Sequence, residues 1–141
     1  MGHMQGYTIG YGGRNPQDFL DVLERYQVPC VVDVRLRPDR SRMGSFAKAN
    51  TPDKGIERLL AERGIDYVSL TELGNVFMGC DDWRERYRAL MARASDLLLG
   101  RLLDLSGPFC LMCAERRVAA CHRQTIAAHL VQLGYGIEHI V

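Results

Sequence analysis

Five short apolar, β-prone runs alternate with four stretches of helical spacing along this chain, and few folds accommodate that order. The runs are residues 7–11, 30–35, 65–70, 109–114 and 136–141. Between them, Asn15 and Pro16 form a cap and first turn for a helix with Phe19, Leu20, Leu23 and Tyr26 on one face. Thr51 and Pro52 suggest the same start for a second helix, with Ile56, Leu59 and Leu60 inward. Asp81 caps a long third stretch through Tyr87, Met91, Leu98 and Leu102, which Gly100 bends or splits. The last helix opens at Cys121-His122-Arg123 and runs through Ile126, Leu130 and Leu133. Strand-helix alternation predicts an α/β three-layer, Rossmann-like domain with a mainly parallel five-stranded sheet. The first and fourth strands are expected at its centre.

Residues 4–141 read as one such domain, and Met1, Gly2 and His3 read as a cloning remnant. No apolar run approaches the ~20 residues of a membrane span. No charged-then-apolar leader is seen, so a cytoplasmic location is expected. The net charge of +1 argues against wholesale polyanion binding. Locally the balance differs: between Arg35 and Lys48 five basic residues stand against one acid, an excess that attracts phosphate. Loops of this length, 36–50, are usually functional or mobile. The five cysteines make an odd count and predict reduced thiols rather than a disulfide framework.

In a parallel sheet the C-terminal ends of all strands share one edge, where ligands bind. That edge collects Tyr11 and Arg14, then Asp33, Arg35 and Arg37, then Glu72, then Cys113 and Glu115, and finally Cys121, His122 and Arg123. Asp33 and Arg35 are two apart and point to the same side of a strand. Charges inside an apolar run are costly unless paired or used. The expected catalytic groups are Cys113, Glu115, Asp33 and His122. Tyr11, Arg14, Arg35, Arg37, Glu72, Cys121 and Arg123 are expected to bind substrate. Two chemistries stay open. Cys113 can act as a thiolate beside His122 and Arg123. Alternatively it lines the pocket while Glu115 or Asp33 moves the proton.

Several motifs fail on inspection. Cys80 to Arg86 has the spacing of a cysteine phosphatase loop, but Asp81, Asp82 and Glu85 would repel an anion. Cys110 to Arg116 has it too, but needs the strand to curl into a loop. Cys110 and Cys113, three apart in a strand, point to opposite faces. Cys113, Cys121 and His122 are an awkward metal set, because helical neighbours diverge by roughly 100°, and no metal is expected. Neither a Gly-x-Gly-x-x-Gly fingerprint nor a P-loop is present.

The chain resembles the bacterial DUF488 family in three stretches. They are Tyr7-Thr8-Ile9-Gly10-Tyr11 with Arg14, Val31-Val32-Asp33-Val34-Arg35 with Pro38, and Leu111-Met112-Cys113-Ala114-Glu115 followed by Cys121-His122-Arg123. Gly64-Ile65 with Tyr67, and Glu72-Leu73-Gly74, match as well. Tyr11 stands where the family more usually has histidine and Gly13 where it often has asparagine, so a histidine role there does not carry over. The resemblance implies an α/β domain without an established reaction. The sequence as a whole points to an enzyme, a hydrolase or transferase, acting on a phosphate-bearing small molecule such as a nucleotide or nucleoside derivative. The alternative is a nucleic-acid- or nucleotide-binding module without catalysis. No cofactor is named by these residues.

Overall fold

A computed structural model of the chain describes residues 4–141; the remnant assigned to residues 1–3 lies outside them. The strands are β1 (Gln5–Gly10), β2 (Cys30–Asp33), β3 (Asp66–Ser69), β4 (Phe109–Cys113) and β5 (Gly136–His139). All pair in parallel, in the order β3-β2-β4-β1-β5. β4 is therefore central and β1 internal, as the alternation predicts. The helices are α1 (Pro16–Arg25), α2 (Gly55–Ala61), α3 (Trp83–Leu98), α4 (Gly100–Leu103) and α5 (Arg123–Gln132). Among the described residues no helix is long and apolar enough to cross a membrane.

The central strand shows why the layers form. Every residue of β4 is buried. Cys110 and Met112 pack into one core with α1 and α2, through Phe19, Leu20, Leu23, Ile56, Leu59 and Leu60. Phe109, Leu111 and Cys113 pack into a second core with Tyr87, Met91, Leu102, Ile126 and Leu130 of α3, α4 and α5. The period of two sends alternate side chains to opposite faces, so a strand covered on both sides is apolar throughout.

One helix start differs from expectation. Thr51 and Pro52 lie in a turn, and α2 begins only at Gly55. Gly55 has φ 67° and its Cβ position is filled by the Ala47 carbonyl, so the chain turns there before it can coil. The third helical stretch splits at Leu99, beside Gly100 as the sequence suggests, into α3 and α4, and bends at Ala94. The long loop after β2 is anchored rather than loose. Its Phe46, 1% exposed, stacks on Tyr11 with ring centroids 4.5 Å apart and meets Phe19 edge-on at 5.1 Å.

From β1 the chain crosses leftward over α1 to β2. From β4 it crosses rightward over α5 to β5, on the opposite face. The ends of β1 and β4 thus flank the point where crossover direction reverses, which is where open α/β sheets form a crevice. Pairing continues past both strands, with Tyr11 N–H donating to Cys113 O at 3.0 Å and Gly12 N–H to Ala114 O at 2.9 Å. This approach requires glycine: a Cβ on Gly10 would run into the Glu115 carbonyl, and one on Gly12 into the Ala114 carbonyl. Gly10→Ala is expected to lower stability by about 1–3 kcal/mol, the range for forcing extra volume into a packed site. Urea unfolding with an unchanged slope checks it.

Candidate functional site

β1 and β4 deliver their next residues side by side, and a cavity of about 340 Å³ opens over them. It is lined by Tyr11 from β1, by Cys113, Ala114 and Glu115 from β4, and by His122 from the approach to α5. The loop after β2 closes the far side with Arg35, Arg37 and Arg40, and Met78 adds an apolar wall. A second cavity, of about 410 Å³, adjoins it and shares Tyr11 and Ala114. Arg14 and Arg42 line that one.

Asp33 and Arg35 form the buried framework of the first cavity. Asp33 is fully buried and Arg35 is 6% exposed. Arg35 Nε donates to Asp33 Oδ1 at 2.9 Å and Nη2 to Oδ2 at 2.6 Å. The Arg35 backbone N–H and the Tyr67 hydroxyl donate to the same carboxylate, at 3.1 and 2.6 Å. The third guanidinium nitrogen donates to the Tyr11 hydroxyl at 3.1 Å. Four donors saturate Asp33, and no part of it reaches the cavity. Asp33 therefore holds Arg35 in place and has no oxygen free to face the cavity.

Glu115 and His122 face the cavity with altered proton affinity. Burial raises the carboxyl above its ordinary range, with the Arg123 charge opposing. Burial lowers the His122 imidazole, with its bond to Val34 opposing. That bond, 2.7 Å from Nε2 to the Val34 carbonyl, needs a proton on Nε2. Neutral His122 thus keeps its lone pair on Nδ1, 3.7 Å from Cys121 Sγ.

Around Cys113 the contacts are dense. Arg123 Nη1 donates to its sulfur at 2.9 Å and to the Glu115 carbonyl at 2.6 Å, and Nη2 to the Arg116 carbonyl at 3.1 Å. Arg123 is 1% exposed. The guanidinium expected to bind substrate instead positions the turn after β4 and holds a positive charge against Cys113. The sulfurs of Cys113 and Cys121 meet at bonding distance, as in a disulfide, with Cα atoms 7.4 Å apart. This pair corrects, for these two cysteines, the expectation of reduced thiols drawn from the odd count. Cys30, Cys80 and Cys110 remain free. Glu115, rather than His122, completes a group with the two cysteines in which all ligand atoms lie within 4.8 Å.

Two other expected groups take different places. Glu72 lines neither cavity; it pairs with Arg101, at 2.7 and 2.8 Å, which keeps its carboxyl low. Arg14 is buried, donates from Nε to the Gly10 carbonyl at 2.9 Å, and faces the second cavity. Arg37 stays at the cavity with only long contacts, 3.4 Å, to Asp39. Arg40, Arg42, Tyr67 and Phe46 were not expected at the site. The charge excess of the loop was a signal for the two arginines. Nothing in the spacing of Tyr67 or Phe46 signals their partners, which lie on other elements.

Arg35→Ala and Arg37→Ala are expected to behave in opposite ways. The first leaves a fully buried carboxylate without its cation and should cost about 3–5 kcal/mol of stability. The second removes an exposed side chain and should leave the melting temperature within a degree or so of the parent. Thermal denaturation of the two variants side by side measures the contrast.

No curated protein and no solved structure matches the chain. The family model described as "Domain of unknown function DUF488" matches residues 15–130, from the cap of α1 almost to the end of α5 and across most of the cavity lining. The chain belongs to the DUF488 family.

Proposed function

We propose that the cavity over β1 and β4 binds a phosphate-bearing small molecule, a nucleotide or nucleoside derivative, and that the protein acts on it as a hydrolase or transferase. One observation carries this reading: Arg35, Arg37 and Arg40 converge on the same cavity as Cys113, Glu115 and His122. Guanidinium forks suit phosphate oxygens. Arg35 already serves Asp33, so Arg37 and Arg40 supply the free donors. The ligand's uncharged part lies along Met78, Leu36 and the Tyr11 ring.

Glu115 fits the role of proton donor. Burial keeps its carboxyl protonated to higher pH than usual, which suits a group that must hand a proton to a leaving oxygen. Cys113, when reduced, fits the role of nucleophile because the Arg123 guanidinium favours the thiolate. Neutral His122 can take up a proton at Nδ1. Asp33 contributes through Arg35.

The non-catalytic nucleic-acid reading has less to stand on. Its one aromatic within the basic loop, Phe46, is buried under Tyr11 and offers no face to a base. The exposed loop charges remain in its favour.

A thermal-shift screen against metabolites tests the proposal. A nucleotide or nucleoside phosphate should raise the melting temperature with little salt dependence, and Arg37→Ala should weaken its binding by about tenfold, ~1.4 kcal/mol. Affinity for generic DNA or RNA that falls steeply with salt, with no small-molecule hit, would sink it. Thiol labelling tests the nucleophile separately. After reduction, iodoacetamide at neutral pH should modify Cys113 faster than Cys30 or Cys110, both of whose thiols burial pushes up. Equal, slow labelling of the three would remove the thiolate role and leave Glu115.

A further inference from the structure

Cys113 and Cys121 meet across the turn from β4 to α5, paired as in a disulfide. The two are not equivalent. Cys113 lines the cavity over β1 and β4, and Cys121 does not. Cys113 also has the cation, since Arg123 Nη1 donates to its sulfur at 2.9 Å. Arg123 is almost wholly buried, and its other acceptors are two carbonyls. Among the described residues no carboxylate forms an ion pair with it. A buried cation is costly without an anion. The thiolate of reduced Cys113 is that anion, and disulfide formation removes it. Arg123 therefore favours the reduced form, and a disulfide whose reduced form is stabilised is readily reduced again.

The proton groups beside the two sulfurs also differ. Glu115 Oε1 lies 4.0 Å from Cys113 Sγ, and burial keeps its carboxyl protonated to higher pH than usual. His122 Nδ1, which carries the lone pair, lies 3.7 Å from Cys121 Sγ. One sulfur thus has a proton donor at hand and the other a proton acceptor. The donor selects the oxidant. A thiolate expelled from a disulfide leaves unaided, whereas hydroxide expelled from a peroxide is strongly basic and departs with a proton. A protonated carboxyl beside the attacking sulfur therefore suits an O–O bond better than an S–S bond.

We propose that Cys113 and Cys121 reduce hydrogen peroxide, Cys113 as the attacking thiolate and Cys121 as the thiol that resolves the product. The electron pair of the Cys113 sulfur forms a bond to one peroxide oxygen and the O–O bond breaks. The departing hydroxide takes the Glu115 proton and leaves as water. Sulfur is oxidised by two electrons to the sulfenic acid, and the peroxide is reduced by the same two. Cys121 then gives its proton to His122 Nδ1, and its sulfur attacks that of Cys113. The S–O bond breaks, and the hydroxide takes the proton from His122 as a second water. One peroxide and two cysteines become a disulfide and two waters. A small reducing dithiol, entering by the cavity that Cys113 lines, returns two electrons and two protons and restores both cysteines and Glu115. This activity goes beyond the function proposed above; it shares the Cys113 thiolate with that reading and needs no phosphate ligand.

The test treats the full chain, reduced and freed of reductant, with one equivalent of hydrogen peroxide at neutral pH. Two of the five thiols should disappear, and peptide maps should show Cys113 bonded to Cys121. Cys80, an exposed free thiol, is the internal control. Cys113 should be oxidised at least about tenfold faster, because an unassisted cysteine is only a few per cent thiolate at this pH. In Cys121→Ser, Cys113 should stop at the sulfenic acid and be trapped by dimedone. With excess dithiothreitol the parent should consume peroxide over many turnovers, above the rate of dithiothreitol alone. Circular dichroism checks that the variant folds; if it does not, the peptide map and turnover of the parent carry the test. Oxidation of Cys80 as fast as that of Cys113 overturns the proposal. So does a sulfenic acid that persists in the parent without the disulfide, or turnover no faster than dithiothreitol alone. Peroxide turnover without any phosphate ligand would leave this inference standing and remove the function proposed above; phosphate binding with an inert cysteine pair would do the reverse.

Discussion

Asp33 is the constraint on which the candidate site depends. A carboxylate wholly out of water is tolerable only when its oxygens are filled, and here Arg35 and Tyr67 fill them. The same guanidinium reaches across to Tyr11 and lies near its ring, 5.2 Å from the centroid. One ion pair thus ties β2 to β3 and to the residue after β1. It also fixes where the loop that follows can go, because that loop leaves directly from Arg35. Arg37 and Arg40, which border the cavity, are placed by a buried interaction they do not share.

Backbone geometry does the rest. β1 and β4 end in register, Gly10 opposite Cys113, and the chains stay hydrogen-bonded for two more residues. Side chains at Gly10 or Gly12 would push these segments apart. Their absence lets Arg123 reach the carbonyls of Glu115 and Arg116 and the sulfur of Cys113 together. The turn between β4 and α5 is held by main-chain acceptors and one buried cation, so its shape depends little on the exposed Arg116 and Arg117.

Much of the fold could be read from periodicity, because a doubly covered strand leaves a plain mark: β4 is apolar at every position, and α1 follows its Asn15 cap with a proline and an inward face. The clustering at one sheet edge follows from parallel pairing alone. What could not be read is how polar side chains divide between framework and cavity. Asp33 and Arg123 have the residue types of catalysis and substrate binding, yet each is spent on neighbours. Glu72 meets Arg101, a partner 29 residues away on α4, and local spacing holds no trace of it. The meeting of Cys113 with Cys121 likewise depends on how tightly a turn closes. The expected start of α2 failed for a related reason: cap-and-proline chemistry at Thr51 and Pro52 was overridden by the packing of Gly55 against Ala47.

The seating of Phe46 has a thermodynamic consequence. A long basic segment free in solution would have to be ordered at the moment a ligand arrived, and that loss of conformational freedom would be subtracted from affinity. With Phe46 wedged between Tyr11 and Phe19, the ordering is done during folding and is shared with the hydrophobic core. A ligand of the proposed kind would then dock into a preorganised surface, and selectivity would rest on its shape and charge rather than on its capacity to organise the protein.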